Sequence, residues 1–600
     1  MSAASGRDES RAVAEHAREA TRTRPSLAAG IFLGTPEAAR VLPFPEQDAA
    51  DRAAAEPFLA RLEEVLAGDL DPDLVDREGR LPAAALASLH AIGAFRLKLP
   101  REHGGLGFSQ QNYNRVVARV GAHCASTAIW LSAHQSIGVP NPLALVGTPE
   151  QQARWMPRLA RGELSAFALT EPEVGSDPAR MRTRAVPHPE GGWVLDGEKL
   201  WCTNGPVADI LVVMARTPDR VEGGRARPSI SAFVVERSMP GVEVLGRCEF
   251  AGYRGIENGW LRFRGVRLDA GCLLGGEGMG LKLALRTLNT GRLTLPATNA
   301  AVAQACSQIA STWAGRREQW GSAIVGHEAV GVQVAWIASH AYAMQAVCDY
   351  VGALADRDDS DIRLEAAIAK LFCSETLLGV VERTMQVRGG RGYETVRSLK
   401  ARGETPWPVE RMWREARLNT IVEGTSEVLR LFLAREALDP HLARAGALAR
   451  PDAPWGARAW AFLRCAATYP GWWLRRALPR LRVPAGLPAA LRPSWRAYEA
   501  GSRRLARRTL YAMLRHGPGL EHRQGLLGRL VDDGSDLLAM AASLSRAASQ
   551  GDARSLALAT HFCAHAAARE RARRALPARV DREGHALARE LSREPSRPAP

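Results

Sequence analysis

GGWVLDGEKLWCTNG, residues 191–205, decides how this 600-residue chain is read. Apolar residues stand alternately or in short runs between glycines, which is a strand pattern with no helical period. The runs that follow share it. ADILVVMAR (208–216), SISAFVVER (229–237) and NGWLRFRGVRL (258–268) are separated by Gly and Pro clusters, at the spacing of an antiparallel sheet or barrel. Upstream the texture differs: AAAEPFLARLEEVLAG (53–68) and LPAAALASLHAIGAF (81–95) place apolar residues three and four apart and predict helices. Downstream, GLKLALRTLNTGRL (280–293), AVGVQVAWIASHAYAMQAVCDY (329–350) and IRLEAAIAKLFCSETLLGVVERTMQV (362–387) are long enough for a helical bundle. The expected fold class is therefore α+β. A helical domain occupies 51–166, a β-domain 167–277 and a four-helix-bundle domain 278–440. Residues 1–50, rich in Ala, Arg and Pro, read as an arm, and 441–600 as a helical extension with a polar tail.

Six hundred residues exceed one compact domain, and 46% hydrophobic with 24% charged residues is a globular composition. The net charge of +15 is unevenly placed. Residues 451–600 hold 26 Arg, no Lys and 12 acids, a balance of +14, against +1 for the first 450. One end of the chain is thus suited to an anionic surface. The nine cysteines are scattered and never spaced as CxxC, so neither a disulfide framework nor a thiolate metal site is expected. Asp8, Glu9, Glu15 and Glu19 among the early arginines argue against a targeting peptide, and a cytoplasmic location is expected. The charge-free stretch Ala329 to Cys348 is interrupted by Gln333, His340 and Gln345 and reads as a buried helix, not a membrane span.

No Walker loop, HExxH or GxSxG is present, and GGEGMG (275–280) lacks the spacing of a dinucleotide-binding turn. What the sequence offers are five polar, glycine-bearing islands: LTEPEVGSDP (169–178), LWCTNG (200–205), REQWG (317–321), QVRGGRGYE (386–394) and IVEGTSEVLR (421–430). On these, in this order and across the helical, β and helical segments of about 51–440, the chain resembles the flavin-dependent acyl-CoA dehydrogenases. LLGRLVDDGSDLLAMAASLSRA (526–547) further resembles the extension of the very-long-chain branch.

The resemblance implies FAD as cofactor, an acyl-CoA as substrate and oxidation to the trans-2,3-enoyl thioester, in fatty-acid β-oxidation. It places the base that removes the α-proton at Glu423. Some branches carry the base in the LNTGRL segment instead, but here the matching position is Gly291. Phe167, Leu169, Thr170, Ser176, Trp201 and Thr203 match positions around the flavin ring. Arg317, Gln319, Trp320, Gln386, Gly389 and Gly390 match those that hold a dinucleotide shared across a subunit boundary, and Thr425 and Glu427 those at its adenine end. A homodimer is implied as the minimum assembly. For substrate the matching positions are Ser176, Asn289, Arg292, Glu423 and Gly424. An electron-transfer flavoprotein or similar acceptor is the implied redox partner. An acyl-CoA oxidase or a flavin monooxygenase on the same fold is the enzymatic alternative, and Glu423 argues against the monooxygenases, which generally lack the base.

Two departures from the family pattern bear on substrate. AGYRGIENG (251–259) has Ile256 and Asn258 where many relatives carry hydroxyl side chains, and TVRSLKARGETPWPVERMW (395–413) is an insertion. At the basic end, residues 461–520 contain 12 Arg and one acid, Glu499, with Trp472, Trp473 and Trp495. In a helix from Trp495 to Leu514, Arg503, Arg504, Arg507 and Arg508 form one basic face opposite Tyr498, Leu505 and Met513. Tryptophan with arginine suits an anionic membrane surface, so residues 461–516 are expected to meet one, on the inner face of the membrane. Because some superfamily relatives have turned a basic C-terminal domain towards DNA, nucleic-acid binding is the competing reading, and the Trp pair and Pro-rich flanks disfavour it.

Overall fold

The computed structural model describes residues 24–222, 225–357, 359–450, 453–478 and 483–593. Residues 1–23 of the expected arm and 594–600 of the polar tail lie outside these. The chain forms two compact units. One contains Glu46–Ile337 and Val351–Thr425; the other contains Pro25–Pro45, Ala338–Tyr350 and the chain from Ser426 onward.

The first unit opens with helices whose ends are marked in the sequence. Asp71 caps Pro72–Glu78 through the Asp73 N–H, and Gly79 ends it in the left-handed conformation. Thr148 and Gln151 form a reciprocal capping box at the start of Pro149–Ala160. The sheet follows: β1 (Ser165–Ala168), β2 (Arg184–Pro187), β3 (Trp193–Thr203), β4 (Ile210–Glu222), β5 (Arg225–Glu236), β6 (Val242–Arg247), β7 (Asn258–Leu268) and β8 (Leu273–Leu274). Its order is β6-β7-β3-β2-β4-β5-β8, with β1 added in parallel on β4. Residues 210–215 of β4 are all fully buried, so both faces of this strand are covered, which is why ILVVMA lacks the alternation of a one-sided strand. Each large apolar side chain in this core contributes about 1.5–3 kcal/mol.

Beyond the sheet, the Gly280–Arg316 helix runs for 37 residues and packs on Arg363–Arg388, which in turn packs on Val409–Leu418. Between the first two a short hairpin pairs Glu318–Gln319 (β9) with Ser322–Ala323 (β10). The insertion adds the Val396–Ala401 helix and an ionic web in which Arg402 meets Glu394 at 2.6 Å and Lys400 reaches Asp73 at 2.9 Å.

The second unit is helical: Leu27–Leu33, Ser426–Ala449, Trp455–Ala477, Arg492–His516, Gln524–Gln550, Ala553–Ala575 and Ala578–Leu591. Part of the lead-in read as an arm belongs to its core. Leu27, Ala28, Ile31 and Phe32 are buried, the Ser502 hydroxyl donates to Ile31 O at 2.8 Å and Arg476 Nε donates to Leu33 O at 2.6 Å. Seven helical residues are too few to announce themselves by period. The expected open basic face on Arg492–His516 is also corrected. Arg504 is bidentate to Glu570, Arg508 pairs with Asp533, and Arg503 donates to Leu478 O at 3.0 Å. Asp533 and Asp536 sit inside an arginine cluster completed by Arg569 and Arg573. Those acids come from helices remote in sequence, so local periodicity could not show them. The apolar and basic surface lies one helix earlier: on Trp455–Ala477, Trp455 is 84% exposed, Trp460 63% and Phe462 62%, beside exposed Arg458, Arg464 and Arg475. Among the described residues no helix is long and apolar enough to cross a membrane.

Candidate functional site

Glu423 stands in the turn after the Val409–Leu418 helix, with φ 56°, and Gly424 follows at φ 95°. A left-handed non-glycine residue costs about 1–2 kcal/mol, so the surroundings must hold the turn in place. They do so from three sides. Asn419 donates to Asn299 Oδ1 at 2.8 Å and accepts from the Tyr253 hydroxyl at 2.7 Å, the Ile421 N–H donates to Leu418 O, and buried Lys370 donates to Gly424 O at 2.8 Å. The carboxylate is turned inward. A Cβ built on Gly291 would lie 2.6 Å from Oε1, and Oε2 is sealed from solvent without a hydrogen bond among the described residues.

Desolvation pushes the Glu423 carboxyl up to about 7, and the charges of Lys370 and Arg292 hold it from rising further. Arg292 is buried and donates to Asn289 Oδ1 at 3.1 Å. Asn289, Gly291, Arg292, Glu423 and Gly424 are therefore brought together. The neighbouring wall is polar only at defined points: Tyr113 OH, Ser136 Oγ and Thr294 Oγ1 form a chain with 3.1 and 3.0 Å spacings. Between the Ala125–Gln135 and Gly280–Arg316 helices, Ala125, Ala128, Ile129, Ser132, Tyr253, Thr294, Leu295 and Thr298 line a narrow recess with room for about one water molecule.

A second grouping forms on β1 and β3. Phe167 is buried on β1, the Leu200 N–H donates to Thr170 O at 2.9 Å, and Lys199 Nζ donates to Leu169 O at 3.0 Å and to Glu171 Oε1 at 2.8 Å. Burial lowers Lys199 to about 8 against the opposing pull of Glu171. A bulge between Lys199 and Cys202 on the β7 side, with Trp201 at φ 55°, turns the indole outward to 54% exposure. Thr203 Oγ1 accepts from Asn258 Nδ2 at 3.0 Å. The 251–258 segment joins both groupings, Tyr253 to the Glu423 turn and Asn258 to Thr203. Ser176 is exposed on its loop, and the structure gives it no part in this network.

The third grouping is at the surface. Arg317, Gln319 and Trp320 sit at the hairpin, where Trp320 has φ 56° and is 95% exposed. Gln386, Gly389 and Gly390 lie exposed at the end of Arg363–Arg388, Gly389 with φ 60°. Trp313 connects them: the guanidinium groups of Arg317, Arg388 and Arg391 lie 6.0, 5.4 and 5.3 Å from its ring. Arg388 also packs at 4.7 Å on Trp407 from the insertion, and Arg391 pairs with Glu404. Thr425 is half-buried, and Glu427 is exposed in the first turn of Ser426–Ala449. Sequence reading passed over Lys370, Lys199, Glu171 and Trp313. Lys199 adjoins one quoted island and Glu171 lies within another, and Trp313 precedes Arg317 by one helical turn, but nothing near Lys370 marks it.

Of the five non-glycine residues with positive φ among those described, Trp201, Trp320 and Glu423 are expected site residues, Tyr253 bonds to the Glu423 turn, and Asn204 lies in LWCTNG. Backbone strain is thus concentrated where the chemistry is expected.

Comparison with known proteins bears on these groupings. Family models described as the acyl-CoA dehydrogenase N-terminal, middle and C-terminal domains match residues 53–163, 166–266 and 278–438. A probable acyl-CoA dehydrogenase of Mycobacterium tuberculosis, FadE10, is 46% identical over 94% of this chain and 87% of its own length. The human very long-chain specific mitochondrial acyl-CoA dehydrogenase is 34% identical over 87% of this chain and 78% of its own. An acyl-CoA dehydrogenase from Bacillus anthracis solved with FAD superposes with TM-score 0.74, covering 96% of this chain and 97% of that one, at 22% identity, a likeness of fold.

Proposed function

Since the chain belongs to the acyl-CoA dehydrogenase family, we propose that it binds FAD and oxidises a long-chain acyl-CoA to the trans-2,3-enoyl-CoA, with Glu423 as the base. One observation carries the reading: a carboxylate held inward by a strained turn, facing the space left by Gly291, with its charge offset by Lys370 and Arg292.

The residues fit the cofactor. An outward-turned Trp201 beside the pinned 169–171 loop suits a flat ring, while exposed Gly389 and Gly390, with no atom within 4 Å of a built Cβ, leave backbone open to a dinucleotide. Arg317 supplies a cation for phosphates. Bound FAD would supply the two-electron acceptor for the β-hydrogen.

Glu423 takes the proton from the α-carbon. Its raised proton affinity makes it a stronger base than an ordinary carboxylate, and Lys370 and Arg292 keep a working fraction charged near neutral pH. The Glu423 backbone N–H is the assigned donor to the thioester oxygen as negative charge develops there. The narrow recess beside Tyr253 and Thr294, where Ala125, Ala128, Ile129 and Leu295 supply apolar wall, is the assigned entrance for the acyl chain, which must widen it on binding. Gln319, Trp320 and the exposed glycines support a homodimer in which this surface grips the dinucleotide of the partner subunit. An electron-transfer flavoprotein is the assigned acceptor. The long-chain assignment is supported by the 34% identity to the very long-chain enzyme. The exposed Trp and Arg residues of Trp455–Ala477 support docking on an anionic membrane surface.

The test is anaerobic mixing of the FAD-loaded protein with short, medium and long acyl-CoAs while following the flavin absorbance. Bleaching that is fastest with the long chains is expected; no bleaching with any member of the series would overturn the assignment.

A further inference from the structure

Lys370 lies in the third turn of the Arg363–Arg388 helix with 0% of its surface exposed. A buried ammonium is costly unless it is paired, and packing alone would be met by Met or Leu at lower cost. Its Nζ donates, at 2.8 Å, to the carbonyl of Gly424. That carbonyl closes the two-residue left-handed turn of Glu423 and Gly424, so a donor from a long helix holds the Gly424–Thr425 peptide one residue beyond the base. The geometry points to Lys370 as a positioning residue of the proposed reaction, one that clamps the Gly424 carbonyl so that the Glu423 side chain and N–H face the same substrate.

This inference rests on Glu423 being the base. It concerns the turn as much as the charge. Three groups act electrostatically with the carboxylate: Lys370 from its helix, Arg292 from Gly280–Arg316 and Tyr113 from Gln110–His123. Arg292 is engaged by Asn289, and Tyr113 by Ser136. Lys370 is in addition bonded to the backbone of the turn. Removing its charge therefore has two separable consequences. The turn loses an anchor, and the carboxylate loses a neighbour that favours its ionised form.

The experiment compares wild type, Lys370→Met and Lys370→Gln as FAD-loaded full-length protein, with turnover of a long-chain acyl-CoA measured across pH and thermal unfolding recorded alongside. Lys370→Met should lower kcat by roughly 10- to 100-fold with little change in KM, and should move the acidic limb of the kcat profile upward by about one pH unit. Lys370→Gln can still donate to the carbonyl, so it should recover much of kcat while keeping the displaced limb. It also serves if the Met variant fails to fold. Wild-type kcat and an unmoved limb in either folded variant would overturn the proposal, as would lost turnover with an unmoved limb and a lowered Tm, which is a merely structural effect. Glu423→Gln, run in parallel, separates the two readings. If it remains active, the base assignment fails; if it is inactive while Lys370→Met keeps the limb in place, only the role of Lys370 fails.

Discussion

Gly291 sets how much room the carboxylate has. Alanine in a helix interior is worth roughly 0.5–1 kcal/mol over glycine, yet here the added methyl would meet Glu423 Oε1 at 2.6 Å. The group displaced is the free end of a flexible side chain, so the fold tolerates it. Gly291→Ala should therefore keep or raise Tm while kcat falls about tenfold or more, a split that steady-state kinetics and thermal unfolding will show together. Glu415 poses a different problem. Burial lifts its carboxyl to about 7 against the pull of Arg411, with a smaller push from Asp76. A folded-state value above the unfolded one means that the folded chain holds the proton more tightly. The benefit is complete below the ordinary carboxylate range and is lost as pH rises to about 7. Glu415→Gln should be more stable than wild type at pH 8 by on the order of 2 kcal/mol, and the difference should vanish near pH 4, as unfolding curves at the two pH values will show.

Single elements explain which parts of the site could be read in advance. The Trp-x-Thr of β3 is visible in sequence, but the outward turn of Trp201 depends on a bulge against β7, a register between strands some sixty residues apart that alternation cannot reveal. Lys370 was hidden for a related reason. A lysine within a long helical period reads as a solvated residue until the helix packing buries it. The Arg492–His516 helix gave its face correctly and its neighbours not at all, since Asp533 and Glu570 come from later helices. The Trp455–Ala477 helix keeps Trp455 and Trp460 exposed while Trp472 packs inward, so the protein should float with anionic vesicles and less with neutral ones. Trp455→Asp with Trp460→Asp should reduce flotation several-fold without altering turnover of a soluble acyl-CoA. Retention on duplex DNA with no flotation would contradict the membrane reading.

Across the whole molecule, the strand-like runs between Gly191 and Leu268 were enough to anticipate a sheet region between helical ones, because their apolar residues lack the helical period of the flanking segments. It did not reveal that 25–45 and 338–350 belong with the C-terminal helices, an arrangement made by contacts such as Tyr342 OH to Gln550 Oε1 at 2.7 Å. The account nevertheless depends on one group. The most direct measurement is turnover of a long-chain acyl-CoA by Glu423→Gln against wild type, after confirming that the variant carries FAD and binds the substrate. A loss of roughly 100- to 10,000-fold is predicted. Turnover within a few-fold of wild type would contradict the assignment of Glu423 as the base.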